Sequence, residues 1–299
     1  MPKITDSLWE NLKPYERDDY DLILIDNGSE QEGKSKYTTH ETGQNTYFGG
    51  ALNIALQFFL ESDKYDSLLS LNNDLILQGP NFVKTLKKEM SEGGYKIISP
   101  SVLQVNSQCK WKYMHCWNSS NTREVKWVDF QAPLLHRDLI EEIKQFPEEL
   151  VYGWGQDVLS GIICEEKKWK VGVVDKCPLI HHSAQTYKEG ASDLDLTTYC
   201  RNAEIGMFNY FRDNGLIEKF HQFRNAVIIT SMKGLVDNSC EEYCINTWKP
   251  WCNKNNIDLI ILDEPIADTN YTKPTWQRWY VWDILENSGL DYEKVALID

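Results

Sequence analysis

The chain has 299 residues, 41% hydrophobic, 25% charged and 12% aromatic, a balance typical of a globular protein with room for one large α/β domain or a domain and part of another. A formal net charge of -14 argues against nucleic acid or an anionic membrane as the main partner, because both are held by clusters of Lys and Arg that are missing here, and a phosphate ligand would need a cation. No stretch reaches membrane-span length and no basic-then-apolar signal pattern opens the chain, which predicts a cytoplasmic protein whose eight cysteines are mostly reduced.

In chain order, residues 20–25 (YDLILI) form a short apolar run ending in Asp26-Asn27-Gly28-Ser29, the pattern of a buried parallel strand emptying into a turn. Residues 30–45 are loop-like. Gly49-Gly50 then opens a helix with Leu52, Ala55, Leu56 and Phe59 at helical spacing. A second strand over 67–71 ends at Asn72-Asn73-Asp74. Gly79-Pro80-Asn81 starts a helix with Phe82, Leu86 and Met90 on one face, Gly93-Gly94 closes it, and a third strand covers 95–99. Residues 109–129 are polar and Trp-rich, and predict loops or hairpin material over the sheet, where an acceptor molecule could sit. Short strands are expected at 170–174 and 179–180 around Asp175, the second leading into His181-His182.

This alternation predicts an α/β fold with a mostly parallel sheet flanked by helices, in which ligands bind beyond the carboxyl ends of the strands. Residues 194–224 read as a docking helix and connector, with Ile205, Phe208, Phe211, Leu216, Ile217 and Phe220 as apolar faces. The chain then starts again, with a strand at 226–230, a helix at 241–248 and a strand at 258–262 ending in Asp263. Lys13-Pro14-Tyr15 before 21–26 mirrors Lys249-Pro250-Trp251 before 258–263, and 65–72 mirrors 292–299, which sets Asp299 against Asn72. The expected organisation is a first domain over 1–193, a helical connector over 194–224 and a partial second α/β unit over 225–299. In the first unit only Lys3-Ile4-Thr5 answers to the strand 226–230, so the chain reads as a fragment or a degenerate tandem. Cys240 and Cys244 with Cys252 lack the His or fourth Cys of a zinc set.

Several residues at the predicted strand ends carry chemistry. Asp26 can accept hydrogen bonds from a nucleobase or ribose, with Gly28 allowing close backbone approach, although any tight turn favours these residues. Asp74 is a hard oxygen ligand for Mn²⁺ or Mg²⁺, and Asn72 or Asn73 can add a carbonyl oxygen or contact a ribose. Gly153-Trp154-Gly155-Gln156-Asp157 combines a shaped backbone, a flat ring suited to a sugar and a carboxylate at the start of an apolar helix, where Asp157 can also serve as a cap. An imidazole of His181 or His182 can complete a cation's coordination.

Taken in order, Asp26 to Ser29, Gly49-Gly50 with Asn53, Leu71 to Asp74, Gly153 to Asp157 and His181-His182 resemble the GT-A glycosyltransferases of the family 2 type, over roughly residues 20–186. The resemblance implies a GT-A fold and an inverting transfer from a nucleotide-sugar, UDP-sugar preferred, to a glycan or other hydroxyl acceptor, with Mn²⁺ or Mg²⁺ as cofactor. It assigns Asp157 as base, Asp74 with His181 or His182 as metal ligands, and Asp26, Gly28, Ser29, Gly50, Asn53, Asn72 and Asn73 to the nucleotide. Trp127, Asp129, Gln131, Trp154 and Gly155 fall to the acceptor. The metal motif is Asn-x-Asp rather than the family's Asp-x-Asp. Competing readings are a sugar-phosphate nucleotidyltransferase, which would normally show a Gly-rich, Lys/Arg-bearing loop near the amino terminus, and a degenerate nucleotide- or glycan-binding module.

Overall fold

The computed structural model describes residues 2–15, 20–78, 81–103, 109, 111–117, 122–182, 195–220, 224–230, 245–255, 257–262, 265–268, 270, 274–282, 285 and 292–298. Gly79, Pro80, Cys240, Cys244, Asp263 and Asp299, all singled out in the sequence, lie outside the described residues, as does the 241–244 part of the predicted helix. The chain is mixed α/β and divides into two compact units, Met1–Phe220 and His221–Asp299.

The first unit begins with α1 (Pro2–Leu12), which buries Thr5, Leu8 and Leu12. That three-to-four spacing makes an amphipathic helix, so Lys3 to Thr5 are helical and not the remnant of a strand. The predicted strand over 20–25 is likewise corrected. Only β1 (Ile25–Asp26) forms, in parallel with β2 (His40–Glu41) as a separate two-stranded sheet. Strand backbone needs partners, and Leu24 finds its own in the Thr39 hydroxyl and the Thr39 and His40 amides, leaving Ile23 52% exposed.

The helix α2 (Tyr47–Leu60) buries Gly49, Leu52, Leu56 and Phe59, three of them on the face expected from spacing. After β3 (Ser67–Leu69) and β4 (Leu75–Leu77), α3 (Phe82–Gly93) buries Phe82, Leu86 and Met90, and Gly94 caps it in the left-handed region at φ 69°. The chain continues through β5 (Tyr95–Val102), β6 (Thr122–Val125), β7 (Leu134–His136), α4 (Arg137–Ile143) and α5 (Gln156–Lys167) to β8 (Lys170–His181). β8 is one long strand where two short ones are expected, because the Asp175 side chain is neutralised within it by Arg123 instead of breaking it.

Five of the strands run in the order β3-β7-β5-β8-β4, with β6 also on β8. Only β5–β8 is parallel among these pairings, which corrects the expected mostly parallel sheet. Parallel neighbours need a long crossover, here supplied by the segment carrying α4 and α5. β7 instead returns antiparallel between β3 and β5. A single core contains Leu56, Leu86, Ile97, Ile98, Leu135, Ile140, Ile162 and Val173. The helix α6 (Leu196–Asp213) joins that core through Met207 and Phe211, and α7 (Ile217–Phe220) follows.

The second unit is fully parallel: β9 (Arg224–Thr230) lies between β10 (Ile257–Leu262) and β11 (Tyr292–Ile298). The helix α8 (Asn246–Lys254) places Cys252 and Trp248 on the face of Val227 and Ile229. A 3-10 helix, Pro274–Tyr280, leads to Val281 and Leu285 on the face of Ile228 and Leu262. Helices thus cover both faces, as buried parallel strands require.

Candidate active site

Four stretches far apart in sequence meet at one end of the six-stranded sheet. Antiparallel pairing of β4 with β8 sets Leu75 opposite His181, and this register brings His181 Nε2 to 3.1 Å from Asp74 Oδ1. The His182 amide donates to the Asp74 carbonyl at 3.1 Å. Two residues earlier, the Asn72 amide donates to the Gln131 carbonyl at 3.1 Å, which ties the 72–74 turn to the segment carrying Trp127, Asp129 and Gln131.

That segment leads to a pair of carboxyl groups. The Gln131 side-chain amide donates to Asp129 Oδ2 at 2.6 Å. Burial pushes the Asp129 carboxyl above the usual range, while Gln131 and the nearby His181 pull it back. Asp157, in the first turn of α5, is pushed up to about 7, first by burial and then by the Asp129 carboxylate, against the opposing Val158 amide; that amide donates to Asp157 Oδ1 at 2.8 Å. Both residues keep some open surface, but their carboxyl groups lie deep enough for desolvation to dominate.

Sequence reasoning missed two residues beside this pair. Burial, then Asp157 and Asp129, push the Tyr113 hydroxyl well above its ordinary value. Burial followed by Asp129 raises the Cys109 thiol to about 12. Only their place in a Trp-rich stretch hinted at them. A clamp holds this stretch down: Arg123 makes two hydrogen bonds of 3.1 Å to Asp175 and donates to the carbonyls of Tyr113 at 2.6 Å and His115 at 2.7 Å. Its guanidinium also lies 4.1 Å from the centre of the Trp117 ring.

Around the carboxyl pair, Gln131 Oε1 is buried without a hydrogen-bond partner, while the buried Tyr113 OH and Trp127 Nε1 face each other outside normal hydrogen-bond geometry, near enough for Trp127 to pull the Tyr113 hydroxyl down against its burial. Such atoms cost about 1–3 kcal/mol each when left unsatisfied. Two can donate and two can accept, a set that suits the hydroxyls of a polyol. Gly161 lets the 126–127 backbone pack closely on α5, since a Cβ there would lie 2.6 Å from the Lys126 carbonyl oxygen and 2.7 Å from the Trp127 Cβ.

The remaining predicted residues are placed differently. Asp26 is buried and accepts from the Ser29 amide at 3.0 Å, closing a turn in the small β1–β2 sheet. Ser29 is exposed. Gly28, at φ 81°, is required by the backbone of Gln44 and Asn45 crossing against it, so the close approach it permits is to this chain. Gly50 packs on the Thr46 side chain. Asn53 is a structural clasp: its Nδ2 donates to the Phe146 carbonyl at 3.0 Å and its Oδ1 accepts the Phe146 amide at 2.8 Å. Asn73 is exposed and bonds Thr5 Oγ1 at 3.1 Å. Gly155, at φ 87°, faces Met207 and Phe211 of α6, while Trp154 is 40% exposed.

Asp74 and His181 contact each other directly, and the same two donors have a spacing compatible with a divalent cation between them. Adjacent ligands of an octahedral ion with bonds near ~2.1 Å lie about 3 Å apart, which matches the 3.1 Å between these donors. Among the described residues no group of three or more His, Cys, Asp or Glu side chains could hold a metal ion, so ligand oxygens would have to complete the shell. Among those residues, too, no helix is long and apolar enough to cross a membrane. No protein-family model matches the chain, and no curated protein aligns with it significantly.

Proposed function

We propose that the first unit is a GT-A-type glycosyltransferase that moves a sugar from a nucleotide-sugar, UDP-sugar preferred, to a hydroxyl of a glycan or related acceptor by inverting displacement. The observation that carries this reading is the meeting of Asp74 and His181 with the Asp129–Asp157 pair. A cation bound by Asp74 and His181 would lie near Asp129, whose carboxyl in turn neighbours Asp157, a carboxylate with proton affinity near neutrality.

In this mechanism Asp157 takes the proton of the acceptor hydroxyl as that oxygen attacks the anomeric carbon. The bond from that carbon to the diphosphate breaks, and the nucleoside diphosphate leaves with the electron pair. A base with a pKa of about 7 combines adequate ionisation with useful basicity at neutral pH. Tyr113, Trp127 and Gln131 orient the acceptor through their buried polar atoms. When bound, a divalent cation held by Asp74 and His181 would neutralise charge on the departing diphosphate.

A second reading, a nucleotide- or glycan-binding module without turnover, is favoured by two observations that remove expected donor contacts: the 26–29 turn stands in its own two-stranded sheet, and Asn53 is consumed by Phe146. Calorimetry with UDP and Mn²⁺, together with release of UDP from a panel of UDP-sugars, separates the two. The transferase reading expects metal-dependent binding with turnover, and Asp157→Asn keeps the first and loses the second. Binding without turnover selects the module. Absence of metal-dependent UDP binding sinks the leading proposal.

A further inference from the structure

The second unit carries a feature the first does not explain. Trp276, Trp279 and Trp282 are 61%, 68% and 64% exposed. The first two lie in the 3-10 helix Pro274–Tyr280, where residues three apart eclipse one another, and Trp282 follows in the helical turn that continues it. Successive indoles therefore stand in single file, separated by a rise of about 6 Å.

Their outward direction is built in. Gln277 is fully buried; its Oε1 accepts the Ile266 amide at 2.9 Å and the Ala267 amide at 2.8 Å, and its Nε2 donates to the Ala267 carbonyl at 2.8 Å. Four residues on, Val281 is buried against the sheet. Positions 277 and 281 thus hold one side of the segment inward, and 276, 279 and 282 lie away from it. Large apolar surfaces held in water in this ordered way mark a binding surface.

We propose that this tryptophan ladder binds a linear, uncharged glycan, with successive sugar rings laying their C–H faces on successive indoles. An indole face carries the negative part of the ring quadrupole and attracts the weakly positive C–H groups of a pyranose, and the rise per turn is on the order of one sugar ring. Single-stranded nucleic acid also stacks on aromatic rings but needs a basic groove, and interfacial membrane helices carry Lys and Arg on their polar face. A net charge of -14 opposes both. A protein partner needs a compact apolar centre within a rim, and three rings in one row match a chain-like ligand better. This inference does not depend on transfer activity in the first unit.

The test is a tryptophan-fluorescence titration of the full chain with neutral linear hexasaccharides of β-1,4-glucose, β-1,3-glucose and α-mannose, alongside the monosaccharides. At least one hexasaccharide should bind at least tenfold more tightly than its monosaccharide. Trp279→Ala should weaken that binding at least tenfold, with Trp279→Tyr recovering part of it and circular dichroism unchanged. Mn²⁺-dependent UDP binding, measured in parallel, should be equal in Trp279→Ala and the parent chain, so failure of either proposal is visible without the other. No binding to any hexasaccharide, binding indifferent to Trp279→Ala, or a Trp279→Ala effect confined to self-association or to phosphatidylserine vesicles would each overturn the assignment.

Discussion

Asp74 and His181 face each other at 3.1 Å because two strands from distant parts of the chain, β4 and β8, are antiparallel neighbours in the register Leu75 to His181. His182 contributes its backbone amide to the Asp74 carbonyl. The pair therefore distinguishes two histidines that are adjacent in sequence. His181→Ala and Asp74→Asn should each weaken Mn²⁺-dependent UDP binding by about 10-fold or more, in line with losses for altered metal sites, and His182→Ala should change it far less. Calorimetry with UDP, with and without Mn²⁺, measures this, and chelation of the metal should reproduce the His181→Ala phenotype in the parent protein.

The Asp157 carboxyl is raised to about 7 from an unfolded value near 3.8. The folded state therefore holds this proton more tightly than the unfolded state. Stability from Asp157 is fully present below pH 3.8 and is lost as pH rises through about 7. Asp157→Asn should leave the melting temperature little changed at pH 4 and raise it at pH 8 by at least the roughly 2–4 °C that 1 kcal/mol is worth in a domain of this size. If transfer occurs, its rate should climb through the same pH window as the base form appears. A variant equally stable relative to parent at both pH values would show that Asp157 is not desolvated.

Arg123 and Asp175 form the least replaceable ion pair described, with side chains 12% and 0% exposed. Removing one partner of such a pair costs about 3–5 kcal/mol, because a charge is left buried alone. Arg123→Met should lower the denaturant midpoint accordingly, with Asp175→Asn also costly. The double variant Arg123→Met, Asp175→Leu should be less destabilised than the sum of the singles. It should still lose acceptor-dependent activity, because Arg123 also holds the carbonyls of Tyr113 and His115.

Asn53 and Gly155 should behave as packing residues. Asn53→Ala removes both hydrogen bonds to Phe146 and should destabilise by about 1–3 kcal/mol. Gly155→Ala places a Cβ 2.8 Å from Met207 and 3.0 Å from Phe211 at φ 87°, a strained conformation costing about 1–3 kcal/mol. In the folded fraction at low temperature, UDP affinity should match the parent for both variants. A selective loss of UDP binding in Asn53→Ala without loss of stability would return Asn53 to the nucleotide site.

The sequence by itself determined the elements whose signal is local. The Phe82, Leu86 and Met90 stripe and the closing Gly94 specified α3, and the helix opening at Asp157 was legible from Gly155 onward. Asp74 and His181 were legible as residues suited to chemistry, since their side chains carry that property wherever they stand, whereas Asp129, Gln131 and Trp127 were singled out only by the family resemblance. Only the tertiary structure decided which of them meet. Sheet register selected His181 over His182, and close packing of the chain on itself took Gly28, Asn53 and Gly155 for the fold. Strand direction was likewise outside local reach: a run such as 20–25 becomes a strand only when a neighbour supplies hydrogen bonds, and β7 entered the sheet antiparallel through a turn that periodicity does not encode. Burial, which raises Asp157 and leaves Gln131 Oε1 without a partner, is a property of the folded ensemble of neighbours and not of any residue alone.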